Sequence, residues 1–429
     1  MSERVLRVGL LGCGTVGSAV VRLLTERADD ITLRTGCGLE ITRVAVRDPG
    51  KQRGLALDPA AFTTDGAAVV DDPNVDVVCE LIGGIEPSRT LILRSFSAGK
   101  PVVTANKELL ANHGKELFDA AEAADVDLAF EASVAGGIPL VRPMKESLAA
   151  ERVTRVIGIV NGTTNYILTQ MSEHAWSFED ALGEAQRLGY AEADPTADVE
   201  GFDAAAKCAI LASIAFNSRV VAGDVYREGI THVQAQDIAD AARLGYTLKL
   251  VAIAELEDEE ISARVHPAMI PAAHPLAAVR EAFNAVFVEG ENVGQLMFYG
   301  PGAGGGPTAT AVVGDLIDVA RNRLAGTHGL GCTCVLDRRI RPMDDTRGQY
   351  YLNLHVNDRP GVLAEIADHF GRNGVSIERV WQEGLGDEAT LVFITHRAQE
   401  GALQKTMREL REVAAVRSIQ SVIRVEGEE

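Results

Sequence analysis

Residues 5 to 11, VLRVGLL, form a short apolar run that stops at GCGTVG, and from Thr15 to about Ala28 the apolar residues recur at helical spacing. The pattern predicts strand, turn, helix. Apolar runs follow at 41–46 (ITRVAV), 75–81 (VDVVCEL), 101–103 (PVV) and 126–130 (VDLAF), with helix-like segments at 88–98 and 107–124 among them. Strands alternating with helices predict an α/β Rossmann-type domain over residues 1–150, built on a parallel, doubly wound sheet.

The period changes after about Arg152. VTRVIGIV reads as a strand, Ala-rich helices run through Asn217, and strand-like runs return near 246–256 and 284–299, which predicts an α+β domain over 151–304. The Gly-rich stretch GPGAGGGPT at 300–308 cannot continue a strand, but Thr308 to Arg323 has helical spacing again. A helix at 305–325 is expected to pack back and complete the first domain. Residues 326–348 show no period and read as a linker. From residue 349 to 429 the order is strand, helix, strand, strand, helix, strand, a ferredoxin-like split βαβ pair.

A length of 429 residues suits two or three domains of ordinary size. Hydrophobic residues make up 46% and charged residues 24%, and no run approaches the ~18 apolar residues that begin to suggest a membrane span, so no membrane partner is expected. The 41 basic and 61 acidic residues leave a net charge of -20, which repels a phosphate backbone and argues against nucleic acid. Six cysteines in no disulfide-like array, and an N-terminus without a leader pattern, lead us to expect a cytoplasmic protein. Cys332 and Cys334 lie close, but Cys-x-Cys alone is a poor zinc signature.

Candidate chemistry begins at GCGTVG. Gly12, Gly14 and Gly17 follow the first strand and open a helix, an arrangement that allows a tight turn, close approach of a pyrophosphate and close helix packing. With strand and helix in place, a dinucleotide at this turn, Thr15 and Val16 included, is preferred to a Gly-rich turn without a ligand. NAD sites usually carry an acid after the second strand. Here Val46 is followed by Arg47, with Asp48, Lys51 and Arg53 beyond, so Arg47 is positioned to receive a 2′-phosphate. The reading leans to NADP(H) over NAD(H), and a solvated basic loop is the alternative. Lys107, in PVVTANKELL, sits where a strand ends and a helix starts, and is expected to face the cofactor crevice; a surface lysine at a helix start is the alternative.

The densest cluster is GYAEADPTADVEGFDAAAK at 189–207, where Glu192, Asp194, Asp198, Glu200 and Asp203 crowd ahead of Lys207. Asp203 and Lys207 are spaced i, i+4 and share a helix face, either as an ordinary surface ion pair or, flanked by AAAK, as a buried one. A protonated lysine can stabilise and quench the negative charge that hydride transfer builds on a carbonyl oxygen, and nearby carboxylates suit a substrate ammonium.

Taken together, GCGTVG, TANK at 104–107, EASVAGGIP at 131–139, NGTTNYIL at 161–168 and AQRLGYAEADPTADVEGFDAAAK at 185–207 resemble the homoserine dehydrogenases, in their monofunctional form with a C-terminal ACT domain. The likeness spans essentially the whole chain. It implies NAD(P)-dependent interconversion of L-homoserine and L-aspartate 4-semialdehyde, a step toward threonine, methionine and isoleucine. By resemblance Lys207 is the proton donor, Asp203 and Glu192 bind substrate, Asp198, Tyr190, Gly162 and Thr163 lie beside them, and Lys107 stands between substrate and cofactor. Thr104, Gly189 and Gly305 are carried over as cofactor-side positions. The resemblance also implies a sodium ion at Glu131 and the carbonyls of Val134, Gly136 and Ile138, a hard-oxygen set.

The segment NDRPGVLAEIADHFGRNGVSI is similar to the ACT module, with Asp358, Gly361 and Asn373 lining a small amino-acid site. That implies threonine as effector, and an expectation that removing 349–429 abolishes inhibition while sparing turnover. A homodimer or homotetramer is expected, since members of the family pair through the middle domain. Another amino-acid dehydrogenase on this fold, and a sensor that keeps the fold without turnover, are the competing readings.

Overall fold

The computed structural model describes residues 5–384 and 386–427. Two compact units are formed by interleaved stretches of chain: one from the stretch up to Gly162, Asp203–Val225 and Ala282–Arg338, the other from Thr163–Phe202, Tyr226–Glu281 and Arg339 onward. The segment 151–304, expected as one domain, contributes to both.

The first unit holds a six-stranded parallel sheet of β1 (Val5–Leu11), β2 (Gly38–Ala45), β3 (Phe62–Thr63), β4 (Val77–Glu80), β5 (Val102–Thr104) and β6 (Leu128–Ala129) in the order β3-β2-β1-β4-β5-β6. The order reverses at β1, and ligands of such sheets bind outside the strand ends at that switch point. Within β1, Val8, Leu10 and Leu11 are fully buried, as a central strand covered on both faces requires. The helix Gly305–Ala325 presents Ala309, Val312, Leu316 and Val319 at helical spacing and buries them with Leu10, Val20 and Leu24. Each such aliphatic side chain contributes on the order of 1–3 kcal/mol of burial, so this distant stretch is part of the same core. The same unit holds an antiparallel ribbon of Val153–Ile159, Phe283–Gly290 and Gly294–Pro301, in which Phe287 lies opposite both Ile157 and Met297. That pairing is why strands from the expected middle segment belong here.

In the second unit, Tyr246–Glu257 and Glu260–Pro271 form a long hairpin. Its neighbour is the C-terminal strand Val416–Val425, which runs parallel to Glu260–Pro271 with Ala268 opposite Arg424. Arg347–Asn357, Glu388–Thr395 and Ile377–Gly384 continue the sheet, and the helices Val362–Arg372 and Glu400–Arg411 pack on it around Tyr350, Leu354, Phe370, Phe393 and Leu403. This is the ferredoxin-like ACT arrangement.

The Arg424 guanidinium, nearly buried, bonds Glu400 at 2.8 Å and Glu228 at 2.9 Å, while Arg264 bonds Glu255 at 2.7 Å and Glu426 at 3.0 Å. These pairs tie residues 349–429 to the rest of the second unit. Truncation takes Arg424 from Glu228 and Glu426 from Arg264, which keeps Glu255, and bares the edge of Glu260–Pro271. Among the described residues no helix is long and apolar enough to cross a membrane.

Candidate active site

At the end of β1 the backbone turns at Gly12, whose φ is +95° and where an added Cβ would lie 2.6 Å from the Leu81 carbonyl. A Cβ on Gly17 would lie 2.3 Å from the Gly12 carbonyl, whereas Gly14 faces open space. Two glycines are therefore needed for close packing and the third leaves room. The helix Thr15–Glu26 starts there with no side-chain cap, so its first amides point toward that room, as an anion requires. The turn opens on a cavity of about 680 Å³ lined by Gly12, Gly14, Val46, Arg47, Lys51 and Arg53, among others. Arg53 is fixed by bonds to the Asp48 carbonyl at 2.9 Å and the Cys13 carbonyl at 3.3 Å, while Arg47 is exposed. Glycine turn, uncapped helix and basic rim fit a nicotinamide dinucleotide.

Other cofactor-side positions are placed less directly. Val16 packs into the core, and Gly305 starts its helix where a Cβ would stand 3.2 Å from the Thr15 carbonyl, so its first role is close packing beside the turn. Thr104 turns its side chain inward: its hydroxyl is fully buried and donates to Glu80 at 2.7 Å. The reason is Glu80, which sequence reasoning missed. This wholly buried carboxylate also accepts from the Ile82 and Gly83 amides at 2.8 and 3.0 Å and from Ser88 at 3.0 Å, and so shapes the loop after β4. The available signal was an acid ending an otherwise apolar strand, VDVVCEL.

The charged centre of this unit is built on the helix Phe202–Ala215. Its composition is almost wholly apolar, which buries it on all sides and takes Asp203 and Lys207 in with it. Lys207 Nζ donates to Asp203 Oδ2 at 2.7 Å and to the Val160 carbonyl at 2.7 Å. Asn161 Nδ2 also donates to Asp203 Oδ2, at 2.8 Å, and Asn284 Nδ2 to the Val160 carbonyl at 3.0 Å. Lys107, the first residue of the helix Lys107–Ala123, ion-pairs with the other Asp203 oxygen. The pair that spacing left undecided is thus buried, and Lys107 joins it. Side-chain exposure falls from 44% at Lys107 to 10% at Lys207 and 5% at Asp203. Burial pushes the Asp203 carboxyl up, but Lys207 and Lys107 outweigh it and hold the group well below the usual carboxylate range. Asn161 and Asn284 were not singled out; Asn161 opens the quoted NGTTNYIL, whereas Asn284 had no local signal.

Gly162 lies against residue 282, where an added Cβ would meet the Ala282 carbonyl at 2.6 Å. In the second unit, Thr163 donates its hydroxyl to the Tyr190 carbonyl at 2.8 Å, and the Tyr190 ring packs 4.8 Å from that of Tyr166. Gly189 ends the helix Phe178–Leu188 in the left-handed conformation, at φ 79°, so its placement follows from the helix cap. Glu192 is exposed and Asp198, on the short turn Thr196–Val199, is half-buried.

Glu131 is buried, and its carboxylate accepts from the amides of Leu140, Val141 and Arg142 at 2.6, 2.8 and 2.8 Å. Of about four acceptor positions on a carboxylate, one remains. Ala135 and Gly136 both have φ 56°, which turns the backbone of Val134–Ile138 sharply. A monovalent cation fits this loop only if the carbonyls of Val134, Gly136 and Ile138 carry most of its coordination.

In the C-terminal module, Asp358 accepts from Gln382 at 3.2 Å, and Gly361 caps the helix Val362–Arg372 at φ 95°. Asn373 is at the other end of that 11-residue helix, about 18 Å from Gly361 at 1.5 Å per residue, and donates to Glu409 at 2.9 Å. Asn373 therefore does not line a site with Asp358 and Gly361 within one chain.

Residues 139–317 match the family model for homoserine dehydrogenase, residues 12–131 that for the homoserine dehydrogenase NAD-binding domain, and residues 350–415 that for the ACT domain. The chain is 51% identical to a homoserine dehydrogenase of Corynebacterium glutamicum, over 98% of this chain and 95% of the relative. A crystal structure of a homoserine dehydrogenase from Thiobacillus denitrificans superposes with a TM-score of 0.95 at 42% identity, covering 99% of each chain. A hyperthermophilic archaeal homoserine dehydrogenase in complex with NADPH has a TM-score of 0.65 at 26% identity, covering 76% of this chain and 99% of that one.

Proposed function

The chain belongs to the homoserine dehydrogenase family, oxidoreductases acting on the CH–OH group of homoserine, and we propose that Lys207 and Asp203 carry the proton chemistry of its reaction with NADP(H) as the preferred coenzyme. The observation that carries this reading is the buried carboxylate of Asp203 shared between the Lys207 and Lys107 ammoniums. When bound, the nicotinamide supplies the hydride for the aldehyde carbon of L-aspartate 4-semialdehyde, or accepts it from L-homoserine.

In the reducing direction Lys207 gives a proton to the carbonyl oxygen as negative charge develops there, and it takes that proton back when the alcohol is oxidised. Asp203 favours the charged form of the lysine and so biases the centre toward the acid role. Lys107, the more exposed ammonium, stabilises the developing oxyanion. We assign Glu192 to the substrate ammonium, with Asp198, Tyr190, Thr163 and Gly162 as further substrate contacts, on the signature they share with the family. Sodium at the Val134–Ile138 carbonyls with Glu131, a homodimer or homotetramer, and a cytoplasmic setting complete the proposal.

NADP is favoured because the end of β2 carries Arg47 in place of an acid, with Lys51 and Arg53 on the same cavity wall. The test is nicotinamide absorbance with homoserine and either coenzyme. Turnover with NADP is expected to exceed that with NAD, and Arg47→Ala is expected to raise KM for NADP about tenfold, the equivalent of one lost charge-assisted hydrogen bond, while changing KM for NAD less than about twofold. Equal changes for both coenzymes reject the 2′-phosphate role.

Threonine is the proposed effector, acting through Asp358 and Gly361 at the start of the Val362–Arg372 helix. Because truncation would break the Arg424 and Arg264 pairs, the decisive variant is a point change in the full chain. Asp358→Ala is expected to raise the half-inhibitory threonine concentration at least about tenfold, a loss of ~1.4 kcal/mol of binding, with uninhibited turnover retained. Inhibition by threonine that Asp358→Ala leaves unchanged would place the effector elsewhere.

A further inference from the structure

Cys332 and Cys334 stand apart from the other thiols of the chain. Cys13, Cys37, Cys79 and Cys208 are buried, whereas this pair is half-buried, in a stretch of the first unit that runs from Thr327 to Val335 without helix or strand. The stretch folds so that the Cys334 amide donates to Cys332 Sγ at 3.3 Å, while the Cys334 thiol donates to the Ser213 carbonyl. The ammonium of Lys145, whose charge acts on Cys332, is held by a bond to the Leu330 carbonyl at 2.9 Å and by the Phe130 ring, whose centroid is 5.4 Å away. Arg219 adds positive charge near Cys334, and Asp119 is the acid facing Cys332.

We propose that Cys332 and Cys334 are a redox-active dithiol, with Cys332 as the nucleophile and Cys334 as its resolving partner, converted by a peroxide into an intramolecular disulfide.

The neighbouring Cys334 thiol and amide, with Lys145 adding to them, pull the Cys332 thiol down to about 6, while the Cys334 thiol, beside that thiolate, is pushed up. One sulfur is therefore a thiolate near neutral pH and the other keeps its proton. The Cys332 thiolate attacks a peroxide oxygen and the O–O bond breaks, leaving a sulfenic acid and a hydroxide that takes a proton from solvent. The Cys334 thiol then loses its proton and attacks the Cys332 sulfur, the S–O bond breaks, and the departing hydroxide leaves with a proton as water. Two electrons pass from the two sulfurs to one peroxide, which becomes two waters. Among the described residues no three or more His, Cys, Asp or Glu side chains gather as a metal site, so the pair does not extend into the four-ligand set that zinc takes.

The pair also touches the helix that carries Asp203 and Lys207. Cys334 Sγ donates to the Ser213 carbonyl at 3.8 Å, and just beyond it Leu336 and Arg338 bond Asn217 and Ser218 at 2.8 and 2.9 Å. A disulfide removes the thiol proton from that first contact, at the far end of the helix from Asp203.

The test uses the full-length, reduced protein. Trypsin releases residues 324–338 as one peptide with both cysteines, so one equivalent of hydrogen peroxide followed by alkylation is expected to give that peptide about two mass units lighter and unalkylated, with the four buried cysteines still reduced. Cys334→Ser is expected to stop at a Cys332 sulfenic acid that dimedone traps, and Cys332→Ser to leave Cys334 reduced. Alkylation of Cys332 in the reduced parent protein, followed on the 324–338 peptide, is expected to titrate below the ordinary thiol midpoint of about 8.5, and Lys145→Met to move that midpoint upward. A peptide that remains doubly alkylated after peroxide, or a Cys332 midpoint at or above the ordinary value that Lys145→Met leaves unmoved, overturns the proposal. So does zinc that copurifies in one equivalent and is lost in Cys332→Ser.

Discussion

Lys207→Ala is expected to lower kcat about a thousandfold, within the ~10²–10⁴ range for loss of a positioned general acid, while KM for homoserine changes only a few-fold. The split follows from where the ammonium sits. Lys207 is held by Asp203 and the Val160 carbonyl, so its bonds in the resting protein are to the protein itself, and the demand for its proton arises as charge builds on the substrate oxygen. The fold is expected to survive. Asp203 retains Lys107 and Asn161, and the Val160 carbonyl retains Asn284, so neither partner is stranded. Steady-state kinetics in both directions, with circular dichroism to verify folding, measure the effect. A kcat within tenfold of the parent shifts the donor role to Lys107, and the companion variant Lys107→Ala then carries the larger loss.

The elements that were legible before the structure are those whose physics is local. The strand, Gly-rich turn and helix at the N-terminus, the completion of that domain by Gly305–Ala325 and the split βαβ order of the C-terminal module are written in hydrophobic period and in glycine placement. The i, i+4 spacing put Asp203 and Lys207 on one face, but spacing does not report burial, and only the apolar surroundings of their helix decide between a surface pair and a buried one. Long-range partners carried no such signal. Lys107 was expected at the cofactor crevice and meets Asp203, 96 positions along the chain by subtraction of their numbers, and Asn284 reaches the Val160 carbonyl from a strand beyond the next hairpin. Thr104 shows the same limit: a buried Glu80 on the neighbouring strand turns its hydroxyl inward, and nothing near Thr104 in the sequence announces it. The middle segment reads in hydropathy as one run of α+β, and the strand pairing within it, here Val153–Ile159 with Phe283–Gly290, joins distant stretches and leaves no local signal.

Asp203→Asn carries the second large effect, and its sign with pH is fixed by the same cluster. The substitution keeps the shape and removes the charge, leaving Lys207 buried without its counter-ion, and breaking a buried pair in this way costs roughly 3–5 kcal/mol at neutral pH. Because Lys207 and Lys107 hold the folded Asp203 carboxyl below its ordinary value near 3.8, its contribution to stability is fully present above that value and is lost as pH falls toward the folded one. The gap in unfolding free energy between parent and Asp203→Asn is therefore expected to be flat from about pH 5 to 7 and to narrow below about pH 4. Adding Lys207→Met to Asp203→Asn removes the stranded ammonium and is expected to restore part of the lost stability, so the double variant should unfold at a higher urea concentration than Asp203→Asn alone. Urea midpoints for the parent, Asp203→Asn, Lys207→Met and the double variant close the cycle. Strictly additive losses would mean that the two side chains are not energetically coupled, and Lys207 would then need another group to keep its proton for the reaction.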